Sequence, residues 1–166
     1  MKIIKLFKKP LGIIFTLIVK NQCKKYNYPL KVMGYSKVNR NTELGKNVNF
    51  NGMIITGRGK VKIGDNFHSG KNCKMITQIH NYNGESIPYD KKIINKDIII
   101  GDNVWLGDEV MILGGVIIEE GAIIQARSVV VNNIPKYSIA GGHPAKVFSK
   151  RDIEHYEKLK KQKKFH

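Results

Sequence analysis

The feature that most constrains this chain is a six-residue period that runs from Ile100 to Pro135. The stretch divides without gaps into six blocks, and each block opens with an aliphatic residue and carries a smaller or β-branched residue at its fifth position. A helix cannot hold a period of six on one face, because its own period is 3.6. A strand keeps the first and fifth positions on one face but must then bend. The period therefore predicts a short strand followed by a bend, repeated.

The bends have a matching composition, since glycine, aspartate and asparagine fill the second to fourth positions of several blocks, as in Gly101-Asp-Asn103. These residues tolerate unusual backbone angles or bond to their own backbone. Three blocks would close one triangular turn of about eighteen residues, and successive turns would stack as parallel strands. The sequence thus predicts an all-β fold, a parallel β-helix; an ordinary sandwich would not keep phase over so many blocks.

The period also divides the chain. Blocks begin at Val38, resume at Ile63 after a one-residue slip, and lose phase from His80 until shortly before Ile100. We expect short helices at both ends, the second with apolar residues at helical spacing after Arg151. The predicted organisation is a basic and apolar N-terminal segment (1–36), a β-helix (37–140) with an excursion loop (81–93), and a closing segment with a basic helix (141–166).

The net charge of +16 lies on the two ends of the chain. Residues 1–40 carry ten basic and no acidic residues, residues 146–166 carry eight against three, and the remainder carries eleven against ten. A nearly neutral body argues against a nucleic-acid partner and leaves two basic ends for an anionic surface, an anionic ligand or water. The two cysteines, Cys23 and Cys73, follow no disulfide or zinc pattern, which fits a reducing compartment.

The N-terminal segment contains an apolar run, Pro10 to Val19, between lysines. This run is about half of the roughly 20 residues that cross a bilayer. The polar, lysine-rich sequence after it is unlike a signal-peptide cleavage site. Two interpretations stay open. Residues 1–20 form a helix that packs on the stack or on a neighbouring subunit, or a helix that also lies in a membrane interface.

Three features together resemble the hexapeptide-repeat acyltransferases: the blocks with Trp105-Leu-Gly, the run Gly121-Ala-Ile-Ile-Gln-Ala-Arg-Ser-Val-Val, and the closing Ile134-Pro-Lys-Tyr-Ser-Ile-Ala-Gly-Gly-His-Pro-Ala-Lys-Val. The chain is most similar to the maltose/galactoside and xenobiotic O-acetyltransferase branch and to bacterial enzymes that O-acetylate surface polysaccharides. The resemblance covers roughly residues 38–151. It implies a left-handed β-helix, a homotrimer, and acetyl-CoA as co-substrate without a metal.

His80 is the candidate catalytic residue. It ends the last regular block before the excursion, and in the resembled family the histidine at this place, ahead of the Trp-aliphatic-Gly block, is catalytic. Acetyl transfer to a hydroxyl needs a group that takes the hydroxyl proton, and a neutral imidazole with a pKa near 6.5 can do so and return the proton to the leaving thiolate. Either Glu85 or Asp90 could orient the ring, as could a backbone carbonyl.

The resemblance also implies a set of residues that bind acetyl-CoA in a groove between subunits. Two departures from the family pattern stand out: Val131-Asn132 replaces a common Thr-Lys, and Ser149 replaces an arginine, so nearby cations would have to meet the phosphates. The predicted cofactor-binding residues are Trp105, Asp108, Ala126, Val131, Asn132, Lys146, Lys150 and Arg151.

The excursion is polar and aromatic, which suits a sugar acceptor better than an apolar one. The predicted substrate-binding residues are Asn51, Tyr82, Glu85, Tyr89 and Asp90. The resulting hypothesis is a cytoplasmic O-acetyltransferase, working at the inner face of the cell membrane if residues 1–20 bind there, that acts on a sugar of a bacterial capsule, lipopolysaccharide or exopolysaccharide. The alternatives are acetylation of a small free sugar or xenobiotic, and a non-catalytic or metal-dependent β-helix. A metal site would need three placed histidines, whereas the coils carry only His68 and His80.

Overall fold

The chain forms a parallel β-helix of about six turns with a helix at each end. The computed structural model describes residues 2–166, with side chains from residue 10 onward. The helices are α1 (Lys2–Gln22) and α2 (Ile153–Lys161). The strands are β1 (Lys25–Tyr26), β2 (Leu30–Val32), β3 (Thr42–Leu44), β4 (Val48–Thr56), β5 (Val61–Ile63), β6 (His68–Ile76), β7 (Gln78–His80), β8 (Ile93–Asn95), β9 (Ile98–Ile100), β10 (Trp105–Leu106), β11 (Met111–Leu113), β12 (Ile117–Ile118), β13 (Ile123–Ile124), β14 (Val129–Val130), β15 (Ser138–Gly142) and β16 (Ala145–Lys150).

The strands stack into three sides. Side 1 contains β1, β3, β5, β9 and β12. Side 2 contains β2, the first half of β4 and of β6, β10, β13 and β15, and side 3 contains the second half of β4 and of β6, β11 and β14. All of these pairs are parallel, and Trp105 pairs with Ile123 as Met111 pairs with Val129, so one turn of the repeat takes three six-residue blocks. We call the corner columns edge A (between sides 1 and 2), edge B (2 and 3) and edge C (3 and 1).

A single column of apolar side chains fills the interior. The first positions of the six blocks are all buried, and so are the fifth positions, where even Ser128 points inward. Burying one large aliphatic side chain contributes roughly 1.5–3 kcal/mol, so the column is the main source of stability. In the earlier turns Phe50 and Phe67 fill the same space and meet edge to face with ring centroids 5.9 Å apart. The inward pattern predicted from the period is the one observed.

The turns of edge A show why the blocks need aspartate and asparagine. The Oδ1 atom of Asp65 accepts the amide of Lys46 at 2.7 Å, and Oδ1 of Asp102 accepts the amide of Asp65 at 2.7 Å. Each carboxylate thus satisfies a backbone N–H in the turn before it. Beside them, Asn66 has a φ of 55°, in the left-handed region that asparagine tolerates better than most residues.

The excursion leaves the stack at edge C as a β-hairpin. Strands β7 and β8 pair antiparallel, with Ile79 opposite Ile94 and His80 opposite Ile93. The amide of Lys96 donates to the carbonyl of Thr77 at 2.8 Å and closes the base of the hairpin. Residues 81–93 are therefore the outer part of a longer insertion, which includes both hairpin strands and is held to the coil at its base.

Helix α1 lies against the first turn of the stack, which begins at β1, well before the first regular block. Val19 is fully buried, the Thr16 hydroxyl accepts the amide of Val32 at 3.1 Å, and the Gln22 side chain accepts the amide of Val38 at 3.0 Å. No helix in the described part of the chain combines the length and the hydropathy that a membrane crossing requires. The side chains of residues 1–9, which belong to the predicted membrane-binding segment, lie outside the described side chains.

The opposite end is closed by the antiparallel hairpin β15–β16 and by α2. Asp152 caps α2, since its carboxylate accepts the amide of His155 at 2.9 Å. The helix is tied to edge A through Tyr156, whose hydroxyl bonds to the Asn103 amide at 2.8 Å, and through Lys160, which pairs with Glu120. The C-terminal helix therefore lies over side 2.

Replacing Asn66 by Ala tests the asparagine ladder. The Asn66 amide donates to Asn103 Oδ1 at 2.9 Å, and its own Oδ1 accepts from Asn47 at 3.1 Å. Because the change removes both bonds and leaves alanine in the left-handed region, we expect a loss of about 1–3 kcal/mol in the free energy of unfolding. Urea denaturation measures it. Asn95→Ala, on the exposed hairpin strand, is the control and should change stability little; equal losses in both variants would contradict the role of the ladder.

Candidate active site

His80 is presented to the surface by the hairpin at edge C. It is the last residue of β7 and its side chain is exposed. The ring of Tyr89, from the outer part of the excursion, stacks on the imidazole with centroids 3.9 Å apart and an interplanar angle of 17°. Stacking of this kind restricts ring orientation without using either nitrogen. Both nitrogens of His80 therefore stay available for proton transfer.

Hydrogen bonds within the excursion hold Tyr89 in place. One carboxylate oxygen of Asp90 accepts the Asn81 side-chain amide at 2.7 Å, and the other accepts the backbone amide of Lys92 at 2.8 Å. The hydroxyl of Ser86 donates to the carbonyl of Tyr89 at 3.2 Å. Asp90 thus orders the loop that carries Tyr89. Sequence reasoning considered the Asp90 carboxylate for orienting His80, whereas in the structure its bonds lie within the loop.

The remaining predicted substrate residues occupy two places. Tyr82 and Glu85 stand on the surface of the excursion, and Tyr82 is 68 % exposed. Asn51 lies on edge B, where its amide nitrogen donates to the carbonyl of Ser69 at 2.9 Å. Within one chain, Asn51 is therefore separated from His80 by the width of side 3.

The residues predicted to bind acetyl-CoA also divide between two edges. Asp108 and Ala126 lie one above the other on edge B, where the Arg127 amide donates to the Asp108 carbonyl at 2.8 Å. The carboxylate of Asp108 accepts the Lys71 amide at 2.7 Å, so it supports the turn itself. Val131 and Asn132 follow β14 at edge C, on the same edge as the hairpin that carries His80.

The predicted phosphate-binding cations lie around β16. Lys146 and Lys150 are exposed there, opposite Gly141 and Ser138 of β15. Arg151 is half-buried, donates from Nε to the carbonyl of Gly121 at 2.6 Å and lies over the Tyr156 ring. Lys146 and Lys150 are thus free to meet an anion, whereas Arg151 is also part of the attachment of α2.

A cavity of about 580 Å³ lies between α2 and side 2. Trp105, half-exposed, lies in its wall beside His68, since the two residues pair directly across β10 and β6. Arg151, His155 and Phe165 contribute from the C-terminal part of the chain. The volume falls within the range of ordinary small-molecule sites. Two predicted cofactor residues, Trp105 and Arg151, therefore line the same cavity.

His68 is the residue of this cavity that sequence reasoning set aside as structural or solvated. Its Nε2 lies 3.3 Å from the amide nitrogen of Asn51, while its Nδ1 is buried without a partner in the described structure. Burial, and secondarily the nearby His166, lower the pKa of His68. Its neutral form is therefore favoured. The sequence contains a signal for this placement of His68. His68 and Trp105 are each the sixth residue of a block that begins Ile-Gly-Asp-Asn, so the repeat stacks one on the other.

The other reactive side chains are less suited to chemistry. Burial raises the pKa of the Cys73 thiol to about 11, so Cys73 stays protonated inside the stack. No group of three or more His, Cys, Asp or Glu side chains among the described residues is arranged to hold a metal ion. The site is therefore a set of imidazole, aromatic and cationic groups on the coil surface.

Comparison with known proteins indicates which class of protein this chain resembles. Residues 97–132 match the family model of the bacterial transferase hexapeptide (six repeats). The chain is similar to a maltose O-acetyltransferase from Clostridium difficile 630, with 29% identity, a TM-score of 0.62, and coverage of 79% of this chain and 67% of that one. It is also similar to a galactoside acetyltransferase in complex with coenzyme A, with 27% identity, a TM-score of 0.66, and coverage of 82% and 70%.

A hexapeptide-repeat-containing acetyltransferase from Vibrio cholerae is a third similar structure, with 25% identity, a TM-score of 0.60, and coverage of 78% of this chain and 72% of that one. A search of curated protein sequences finds no match. The six-residue repeats and the solved relatives confirm the fold class predicted from the sequence, and they define an acyltransferase. The chain therefore carries the bacterial transferase hexapeptide repeat over residues 97–132 and is similar to solved hexapeptide-repeat acetyltransferases, in agreement with the resemblance seen in the sequence.

The burial of His68 predicts a pH effect on stability. Because its folded-state pKa lies below the ordinary imidazole value, the unfolded chain binds the proton more readily, so this stability is present above the unfolded pKa and is lost as pH falls through the folded value. We expect His68→Gln, which cannot titrate, to lose less thermal stability than the wild type between about pH 7.5 and about pH 5. Melting temperatures at the two pH values measure this. His155→Gln in the same cavity is the matched control, and a wild-type slope in His68→Gln would contradict the assignment.

Proposed function

We propose that this protein is an O-acetyltransferase that moves acetyl from acetyl-CoA to a hydroxyl of a sugar in a bacterial capsule, lipopolysaccharide or exopolysaccharide. The observation that carries the proposal is the placement of His80: the first strand of the insertion at edge C ends with an exposed imidazole that is held by Tyr89. A β-helix that interrupts its own register to present one oriented imidazole has the arrangement that general-base catalysis needs.

In this mechanism His80 accepts the proton of the acceptor hydroxyl while the hydroxyl oxygen attacks the thioester carbonyl. As the carbon–sulfur bond breaks, His80 returns the proton to the departing sulfur, so the residue ends the cycle neutral. Tyr89 keeps the imidazole plane fixed in both steps. A backbone N–H near the edge would stabilise the charge on the carbonyl oxygen. Acetyl-CoA supplies the activated acetyl group, and no covalent enzyme intermediate is required.

The residues present fit an extended donor with phosphates at one end. Ala126 is small and exposed on edge B, and this leaves the backbone open for contact with a pantetheine arm. Lys146 and Lys150 lie further along the stack and are exposed. Together with Arg151 they would replace the cations that the family has where this chain has Asn132 and Ser149. Trp105, Asp108 and Val131 complete the proposed donor site.

The division of the site between edges B and C supports a homotrimer. A side of six residues spans roughly 15–20 Å at about 3.3 Å per residue, so His80 on edge C cannot act on a thioester held along edge B of the same chain. A second copy whose edge B lies beside edge C of the first would bring the two sets together. Around a threefold axis this contact closes and forms three identical sites.

The sugar acceptor is supported by the relatives and by the excursion. The similar enzymes are named for maltose and galactoside, both of which are sugars. Those names also favour a second candidate, a small free sugar as the acceptor. The exposed aromatic Tyr82 and the polar residues Asn51 and Glu85 provide the stacking and hydrogen-bonding groups that a sugar needs. We place the protein in the cytoplasm, which fits its two free cysteines.

His80→Ala tests the catalytic assignment. We expect acetyl transfer to fall about 100-fold or more, because general-base catalysis commonly contributes that much. Release of free thiol from acetyl-CoA, measured with a panel of sugars and glycan precursors, reports the rate. His143→Ala, in the exposed turn between β15 and β16, is the control and should keep full activity. Unchanged turnover in His80→Ala, with an unchanged melting temperature, would remove His80 from the mechanism.

Mixing two inactive variants tests the shared site. We expect His80→Ala and Ala126→Glu, which places a repelling carboxylate in the donor groove, each to be inactive alone. In mixed trimers purified through two different tags, one of the three seams joins an intact edge B to an intact edge C, so activity should return to about one third of the wild-type value. The same rate assay measures the recovery.

The control for this experiment mixes His80→Ala with His80→Asn, which share the defect and should recover nothing. If His80→Ala and Ala126→Glu also recover nothing in mixed trimers, then His80 and Ala126 serve a site within one chain. A monomeric mass by light scattering would overturn the trimer and, with it, the placement of the donor along edge B, and His80→Ala would then be the separate test of His80.

A further inference from the structure

Helix α1 has one face fixed to the stack and one face exposed. On the inner face Val19 is fully buried, Gly12 packs against Met33, and the Phe15 ring meets Tyr35 edge on at 6.2 Å. On the outer face Leu11, Ile13, Ile14 and Leu17 are 47–64 % exposed. The helix is therefore attached to the stack, and its outward apolar side chains keep about half of their surface exposed.

Exposed side chains of the first turn extend this apolar face. Tyr28, Met33 and Tyr35 are 51–65 % exposed. Each is joined to α1 by a contact: Met33 lies against Gly12, Tyr35 against Phe15, and the Tyr28 ring lies 4.6 Å from the Lys20 ammonium. We call these three residues and the four outward residues of α1 the α1 surface. Isolated exposed apolar residues are common, whereas a contiguous group marks an interaction site.

The charge around the α1 surface selects its partner. Residues 1–40 contain ten lysines and arginines and no acid, and the first acidic residue is Glu43. Lys25, Lys31 and Lys37 are exposed on the turn that carries the surface, while Lys24 pairs with Glu43 at 2.7 Å. A second copy docking through the same surface would bring two strongly positive segments together, which like-charge repulsion opposes. An anionic partner is favoured instead.

We propose that the α1 surface docks on an anionic lipid bilayer, with α1 lying in the plane of the interface. A helix with a wide apolar face, flanking lysines and too little hydropathy to span fits that mode of binding. Tyrosines at the rim of such a surface sit at the level of the lipid headgroups. The end of the stack that carries β1 and β2 then faces the membrane, and the active site lies further up the coil.

The proposed trimer would strengthen membrane binding, and this step of the inference rests on the trimer proposed above. Three parallel stacks around a threefold axis place three α1 surfaces on the same side of the assembly. One amphipathic helix binds weakly and reversibly, whereas three on one rigid body bind a bilayer together and gain avidity without new contacts. A lipid-carried sugar acceptor would then lie close to the edges where His80 and the donor meet.

Vesicle flotation tests the proposal with the full chain. Vesicles of roughly 70:30 phosphatidylcholine and phosphatidylglycerol should carry the wild-type protein upward, and vesicles of pure phosphatidylcholine should not. Flotation should weaken at high salt. The double variant Ile13→Asn/Leu17→Asn should reduce the partition coefficient roughly 10-fold or more, because two large apolar side chains no longer enter the lipid. These side chains are outward, so the variant keeps the contacts of Thr16 and Val19.

The matched control is Ile87→Asn, which changes an equally apolar side chain that is 95 % exposed on the excursion. This variant should float like the wild type. The double variant should keep its melting temperature and its acetyl transfer to an acceptor free of lipid. Equal flotation on both kinds of vesicle, or unchanged flotation of the double variant, overturns the proposal. The proposal is also overturned if the wild type does not float and the double variant has half the oligomer mass of the wild type. That result would assign the α1 surface to contact with a second copy.

Discussion

The constraint on which the structure depends is the registered stacking of one corner on the next. On edge A the carboxylates of Asp65 and Asp102 each accept a backbone amide from the preceding turn, and Asp108 does the same on edge B. Each bond fixes the rise between turns and forbids a slip by one residue, which would turn every inward side chain outward. The apolar column therefore packs because the corners are in register. The backbone amides of the bends find their hydrogen-bond acceptors in the corner carboxylates, so the interior can remain apolar.

The same register builds the surface chemistry. Because the turns stack residue on residue, side chains at one block position form vertical rows, and His68 pairs with Trp105 for this reason alone. A row is straight, so groups on different edges of one stack do not converge. A solenoid can assemble a compact site in three ways: by an insertion, by an added helix, or by a second stack. This protein has an insertion that carries His80 and a helix that covers Trp105, and its two sets of predicted donor residues point to the third device.

The parts of the structure that the sequence could predict are those that repeat. The column from Ile100 to Val130 follows from the period, because a period of six admits one inward face. The hairpin of the excursion was not predictable from the period, since the pairing of Ile79 with Ile94 is antiparallel and local. The first turn was missed because Leu30 and Val32 carry no block pattern and are placed only by their partners Val48 and Phe50. The cavity beside His68 was not predictable from the repeat, because part of its lining comes from α2, which lies more than eighty residues later in the chain.

Each end of the stack carries a helix, but the outer surfaces of the two helices differ in polarity. An open β-helix exposes unpaired strands at each end, and such edges invite aggregation unless they are covered. At one end β16 pairs with β15, while α2 lies over side 2, is held by polar contacts such as Asn103 to Tyr156, and has a charged outer surface. At the other end α1 covers the first turn through Val19, yet its outer surface stays apolar. Attachment to the stack does not require an outward apolar face, since α2 has no buried residue and is held by polar contacts. The second apolar face of α1 therefore requires a reason other than stability of the fold, and a lipid interface supplies one.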